Sequence, residues 1–327
     1  MRRLACTMGL IVFMTSAASA PAAPVTVGNP LLGTIESTGG SGISATLINL
    51  TIAAPGATAT SPVSGAIVRW HLLKAAGGPF RLRVLRPAGG TSYTAVGTSG
   101  PADAVTPGLE TYETALPIQV GDTIGLDVVK GLKVGALGNP ASVIAVISPI
   151  LVEGATAPIT ESVAGAEFAF NAEVQPTPTL TALAPASGSF RGGRKAIKIT
   201  GTDFTGASTV SFGGVPAKSF TLVSETVIKA IPPAVRKPSK VDVTVTTVAG
   251  TTAVGDAGRF SYLACVVPKL KGKSLKVAKK RLRKANCKVG KVTKRGDATA
   301  KSGAIIRQGK SSGKKLAPGT KVSITLG

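Results

Sequence analysis

The sequence predicts a mainly β protein made of three successive units: an N-terminal β-sandwich of jelly-roll type, a second small sandwich, and a small α+β module. Three observations carry this. Of 327 residues, 40 are Gly and 22 are Pro, while aromatic residues make up only 4%. That composition favours short strands and tight turns over long helices. Apolar and polar residues alternate with period two in many segments, as half-buried strands require. The formal charge of +23 is also unevenly spread. Residues 1–177 carry 9 basic against 10 acidic side chains, a net of −1; 178–263 carry 10 against 4, a net of +6; 264–327 carry 19 against Asp297 alone, a net of +18. These breaks coincide with changes in sequence texture and serve as unit boundaries.

Residues 1–22 read as a secretory signal peptide. Arg2 and Arg3 precede the apolar run Met8 to Met14, and small residues follow from Ser16 to Ala23. Cleavage falls after Ala20 or Ala22. Cys6 precedes the apolar run, the wrong order for a lipoprotein signal. A second uncharged stretch, Val134 to Val152, has the length of a membrane span but is broken by Gly135, Gly138, Pro140 and Pro149. Its central run, rich in β-branched residues, reads as a buried strand. The expected product is a secreted protein of the cell surface or cell wall, with no transmembrane anchor in the mature chain.

The first unit, 23–177, shows about eight candidate strands. Val68, Trp70 and Leu72 alternate with Arg69 and His71; Phe80, Leu82 and Val84 alternate with Arg81 and Arg83. Phe168, Phe170, Ala172 and Val174 alternate with Ala169, Asn171 and Glu173. Ile118 and Val120 lead through the turn pair Gly121-Asp122 into Ile124, Leu126 and Val128. The stretch Leu116 to Val128 resembles the edge hairpins of jelly-roll carbohydrate-binding modules.

In the second unit, 178–263, the turn Pro185-x-Ser187-Gly188, the pair Gly192-Gly193, the strand Ala196 to Gly201 with Phe204, and Val210-x-Phe212-Gly213-Gly214 resemble the IPT/TIG family of immunoglobulin-like domains. Ile197 and Ile199 alternate with Lys198 and Thr200, and Val241, Val243 and Val245 with Asp242 and Thr244. Gly201, Gly213 and Gly214 are expected at turns of positive φ. The resemblance implies a sandwich for spacing and protein contacts, without catalytic machinery.

The third unit, 264–327, opens with Val267-Pro268-x-Leu270-x-Gly272. Leu275, Ala278, Leu282 and Ala285 recur at helical spacing behind Ser274, a good N-cap. Lys288 to Val292, Ala304 to Gln308 and Pro318 to Val322 then supply three strands and their turn. This order resembles a PASTA domain. The resemblance implies one helix on a small sheet, a bacterial origin and recognition of peptidoglycan; neither a kinase nor a penicillin-binding region accompanies it. Cys265 and Cys287 depart from the plain family pattern. In an exported chain from which Cys6 is removed, this remaining pair suggests a disulfide worth roughly 3 kcal/mol in the chain-entropy model, with two buried thiols as the alternative.

The strongest chemical feature is the helix charge: Lys276, Lys279, Lys280, Arg281, Arg283 and Lys284, with Lys269, Lys271 and Lys273 just before it. These six helix residues are the candidate polyanion-binding site. Nucleic acid is not the expected partner, because export removes it and no aromatic residue interleaves the run to stack bases. Cell-wall peptidoglycan or an anionic wall polymer fits better, a solvated basic face being the bland reading. No catalytic, cofactor or metal site is expected. His71 is the only histidine and alternates toward the strand surface. Metal clusters lack His and Cys ligands. The remaining enzymatic possibility, a hydrolase in the first unit, would need a carboxylate pair from Glu110, Glu113, Asp122 and Asp127. Asp122 reads better as a turn former. The sequon Asn49-Leu50-Thr51 carries little meaning in a bacterial chain. The reading is a non-catalytic envelope protein, binding or structural; the alternative is a surface adhesin whose first unit binds a surface glycan or protein.

Overall fold

The computed structural model describes residues 24–32, 37–40, 42–105, 108–295 and 303–327. The segment read as a signal peptide lies outside them, as does Asp297. No described helix is long and apolar enough to cross a membrane.

The first unit is a sandwich of two antiparallel sheets. One has four strands in the order Val25–Gly28, Phe170–Pro176, Gly65–Leu73, Leu109–Ile118. The other follows the path Thr156–Pro158, Ser92–Thr98, Gly77–Pro87, Thr123–Val128, Ala45–Thr51, Lys133–Ile147, Glu161–Phe168. Trp70, Leu72, Phe80, Leu82, Val84, Leu126 and Phe170 fill the space between them. The alternation around Phe80 thus marks the core, as its period requires. Strand Lys133–Ile147 runs through Pro140 with a bulge between Asn139 and Val143, so the second apolar stretch is a sheet strand.

Several expectations need correction. Val68 does not follow Trp70 inward. A bulge between Ile67 and Arg69 puts Ile67 in the core and leaves Val68 half-buried on the other side. Leu116 to Val128 is not a hairpin, because strand Leu109–Ile118 belongs to the smaller sheet and Thr123–Val128 to the larger. The run Phe168 to Val174 is likewise not one strand. It changes sheets at Ala169, whose amide donates to the Gly135 carbonyl (2.8 Å) and whose carbonyl accepts from Leu73 (3.0 Å). One residue therefore ties both sheets together.

The larger sheet is covered on its outer face too. Ile48, Leu85, Ala95, Ala145, Ile147 and Leu151 form a second apolar cluster there, with Tyr93 and Ile159 packed against it. This explains why Arg83, a surface residue by alternation, is buried. Glu167 is also buried, and accepts from the side chains of Asn29, Asn139 (2.9 Å) and Ser142 and from the Ala53 amide (3.2 Å). Asn49 is buried and braces Phe168 through both its amide (3.0 Å) and its carbonyl oxygen (2.8 Å). The sequon is a structural bridge.

The second unit packs a four-stranded sheet (Thr179–Ala184, Ile197–Thr202, Val227–Ile231, Ser219–Ser224) on one built around Arg259–Leu263, Lys240–Thr247 and Thr209–Phe212. Phe212, Phe260 and Tyr262 meet edge to face in its core, with ring centroids 5.0–6.5 Å apart. Gly213 and Gly214 have positive φ as expected. Gly201 does not; it lies within a strand, where a Cβ would collide with the Thr179 carbonyl. Its role is close approach.

In the third unit, helix Leu275–Lys284 packs Leu275, Ala278 and Leu282 against Val322, Ile324 and Leu326 of the small sheet. Ser274 caps its start, accepting from the Val277 amide at 3.4 Å. At its end Asn286 takes a left-handed conformation (φ 56°), Asn286 donates to Arg283 O (3.1 Å) and Cys287 to Leu282 O (2.8 Å). That paired closure is a Schellman motif. It turns the chain so that Cys287 meets Cys265 in a disulfide, with Cα atoms 4.8 Å apart.

Candidate polyanion-binding face

The helix is amphipathic at its own period, so its charges cannot all point the same way. With about 100° between residues, Leu275, Ala278 and Leu282 take the core side. Lys276, Lys279, Lys280 and Arg283 recur at i, i+3, i+4 and i+7, which places them on one stripe. All four are exposed and together line a shallow concavity of about 330 Å³. Arg281 and Lys284 fall on the other flank, beside Val277. Arg281 turns back toward the loop before the helix and donates from Nη1 to the Lys269 carbonyl at 3.2 Å. The six candidate residues thus divide into a convergent group of four and a flanking pair. Lys269, Lys271 and Lys273 are exposed as well. Among the described residues no carboxylate makes an ion pair with any of these cations. Arg281, Arg283 and Lys284 also lie in the last helical turn, where cations complement the helix dipole.

The other residues singled out in the sequence go elsewhere. Asp122 is buried, holds Arg86 in a two-point ion pair (2.8 and 2.9 Å) and accepts from the Gln119 amide (2.9 Å). Asp127 is buried against Arg83. Neither is available as an acid or base. Glu110 and Glu113 lie on strand Leu109–Ile118 of the smaller sheet. His71 lies between Thr111 (Nδ1 to Oγ1, 2.9 Å) and Glu173 (Nε2 to Oε1, 3.3 Å), and Glu173 is gripped by Arg69 at 2.6 Å. This Thr-His-Glu chain has the connectivity of an acyl-transfer triad. The same contacts are also plain cross-strand links: Thr111 pairs with His71 on one side of strand Gly65–Leu73, and Glu173 pairs with Arg69 on the other. Among the described residues no group of three or more His, Cys, Asp or Glu could hold a metal ion.

Sequence reasoning missed a cleft of about 500 Å³ between the first and second units, lined by Val68, Arg69, Glu113, Pro176, Asp203 and Val248 among others. Its floor depends on the bulge at Val68, which periodicity does not reveal. Gln175 donates across this junction to the Thr205 carbonyl (2.9 Å), and Thr177 to Ala249 (3.2 Å).

The helix, its cap, the sheet order and the entry strand Cys265–Val266 paired with Lys315–Leu316 coincide with a family match over residues 266–327. This unit is a PASTA domain. Residues 178–262 match the IPT/TIG domain, so the Ig-like sandwich precedes the PASTA domain directly. Both are architectural or binding modules, and the PASTA family is linked in general to peptidoglycan and cell-wall binding. The two matches leave residues 1–177 uncovered. No curated protein matches the chain. Among solved structures, the plexin A4 extracellular region is similar over 44% of this chain and 11% of its own, at 19% identity and a TM-score of 0.24. A second plexin A4 structure is similar over 67% and 18%, at 14% identity and a TM-score of 0.25. The gamma-CGTase of Alkalophilic bacillus clarkii is similar over 40% and 24%, at 16% identity and a TM-score of 0.23. The chain spans less than a quarter of each of these proteins.

Proposed function

We propose that this is an exported, non-catalytic cell-envelope protein whose PASTA domain associates with cell-wall peptidoglycan or an anionic wall polymer through the basic face of its helix. The observation that carries this reading is the convergence of Lys276, Lys279, Lys280 and Arg283 on one concave, exposed stripe. Four like charges on adjacent turns repel one another at a small cost in helix stability, and a polyanion relieves that repulsion. The IPT/TIG domain stands in sequence between the first unit and this basic end. Exposed charges act over about 10 Å at 0.1 M salt, so attraction of this origin weakens steeply as salt rises.

The test is retention of the full chain on purified wall sacculi across a salt series, beside a variant with all six helix cations replaced by Gln. Strong low-salt retention that falls with salt and with neutralisation is the expected result. Retention indifferent to both removes the electrostatic account. No retention of the intact chain at low salt removes wall association altogether.

A further inference from the structure

The PASTA sheet has a second cationic face, opposite the helix. Its central strand Lys321–Leu326 pairs with Lys288–Lys294 on one side and Ile305–Gln308 on the other. Val322, Ile324 and Leu326 point into the core, so Ser323 and Thr325 point outward. Register puts Thr293, Thr325 and Arg307 in one row across the three strands. The next row holds Ser323, with Gly309 beside it, donating to the Ser323 carbonyl at 2.8 Å. A register shift between Val289 and Val292 brings Lys291 to the edge of that row. Lys291, Thr293, Arg307, Gly309, Ser323 and Thr325 line a groove of about 210 Å³.

The floor of this groove is open for a reason. Gly290 and Gly309 flank Ser323, and a Cβ on Gly309 would lie 3.2 Å from the Ser323 Cβ. Neither glycine has positive φ, so no turn requires them. A Cβ on Gly290 would lie 3.0 Å from the Ser323 amide nitrogen and 3.2 Å from its Oγ, so the two glycines leave room around Ser323. Among the described residues, the side chains of Lys291, Thr293, Arg307, Ser323 and Thr325 make no hydrogen bond or ion pair. Strands about 4.8 Å apart and rows about 7 Å apart put the hydroxyls of Thr293, Ser323 and Thr325 beside the cations Lys291 and Arg307.

We infer that this groove is a distinct oxyanion site that receives a phosphate group of an anionic polymer. A carboxylate offers two oxygens in one plane. A phosphate offers a tetrahedron of oxygens that can accept from hydroxyls below, from the Arg307 fork on one flank and from Lys291 on the other. The inference rests on the proposed wall-polyanion partner only for the source of the phosphate. With the helix face on the other side of the sheet, the domain presents two separate anion-binding surfaces and can bridge two polymer segments.

The experiment is an amide-shift titration of the ¹⁵N-labelled full chain with inorganic phosphate, long-chain polyphosphate and polyglutamate. The variants are Gly309→Ala, Arg307→Gln and the six-residue helix neutralisation. Both phosphate probes should shift Lys291, Gly309, Ser323 and Thr325 in the wild type and in the helix variant. Arg307→Gln should weaken phosphate binding about tenfold by removing a charge-assisted donor. Gly309→Ala should weaken it while leaving the net charge unchanged, which separates a shaped groove from mere basicity. Native spectra confirm that each variant folds. Wild-type phosphate affinity in both folded groove variants overturns the site. Equal shifts with polyglutamate overturn the phosphate assignment, and binding of inorganic phosphate with no polyphosphate binding overturns the polymer source. The sacculus assay reads the helix face separately, so either surface can fail alone.

Discussion

Arg83 donates from Nε to both carboxylate oxygens of Asp127, at 3.1 and 3.0 Å, although the two residues are only 4% and 3% exposed. Thr46 also donates to Asp127 and in turn accepts from the Leu151 amide at 3.1 Å. Arg83 reaches Thr98 at 2.7 Å, which donates to Glu153 at the same distance. The ion pair therefore fastens the 148–155 segment over the outer face of the larger sheet. Removing one partner leaves an uncompensated buried charge. Arg83→Met or Asp127→Leu alone should cost about 3–5 kcal/mol in denaturant melts followed by Trp70 fluorescence, and the double replacement much less than the sum. Additive losses would sink this account.

Glu167 is also buried in the first unit, and unlike Asp122 and Asp127 it has no cation paired with it among the described residues. Its stabilisation comes from four neutral donors gathered from distant segments. Glu167→Gln keeps the volume but turns an amide NH₂ against some of those donors. It should cost about 2–3 kcal/mol, because hydrogen bonds to charged groups are stronger than neutral ones and a displaced donor pays its desolvation in full. A neutral outcome in chemical denaturation would show that water replaces the lost acceptor.

All three tyrosines have phenol pKa values raised above the ordinary 10.0, chiefly by burial. Tyr112, near Glu110 and Asp103, and Tyr262 are both pushed up to about 12. A raised folded pKa means that the folded state holds the proton more tightly. This contribution to stability is complete below pH 10 and is lost as pH rises from 10 toward 12. A native absorbance titration at 295 nm should show little phenolate at pH 10.5, with the missing signal released on unfolding. The Tyr262 hydroxyl is buried and finds no hydrogen-bond partner among the described residues. Tyr262→Phe should therefore be neutral or stabilising by about 1 kcal/mol and should reduce the alkaline loss.

The Cys265–Cys287 bond spans 22 residues and joins the entry strand to the end of the helix. Cys265→Ala with Cys287→Ala should lower the stability of the PASTA domain by roughly 3 kcal/mol. Residues 264–327 contain no Phe, Trp or Tyr, so fluorescence cannot read this loss. Amide exchange at Leu282, Val322 and Ile324 can. Unchanged protection there would assign the bond no role in domain stability.

Much of this protein is written in local pattern. Alternation at Phe80, Leu82 and Val84 marks core strands because a pleated strand has a side-chain period of two, whatever it packs against. Helical spacing at Leu275, Ala278 and Leu282 selects the buried stripe and thereby assigns Lys276, Lys279, Lys280 and Arg283 to a shared exposed one. The Cys265–Cys287 pairing is also legible, since only one partner remains within the module. What the chain does with its second sheet face is not local. Arg83 is buried because residues more than sixty positions away cover it. Val68 leaves the core because of a bulge, and the run to Val174 breaks at Ala169 because two sheets compete for its backbone. The groove beneath Lys291 and Arg307 depends on a register shift that pairs Thr293 and Arg307 with the same Thr325. Strand register is set by the fit of whole faces against one another, and that is decided only when the chain is folded.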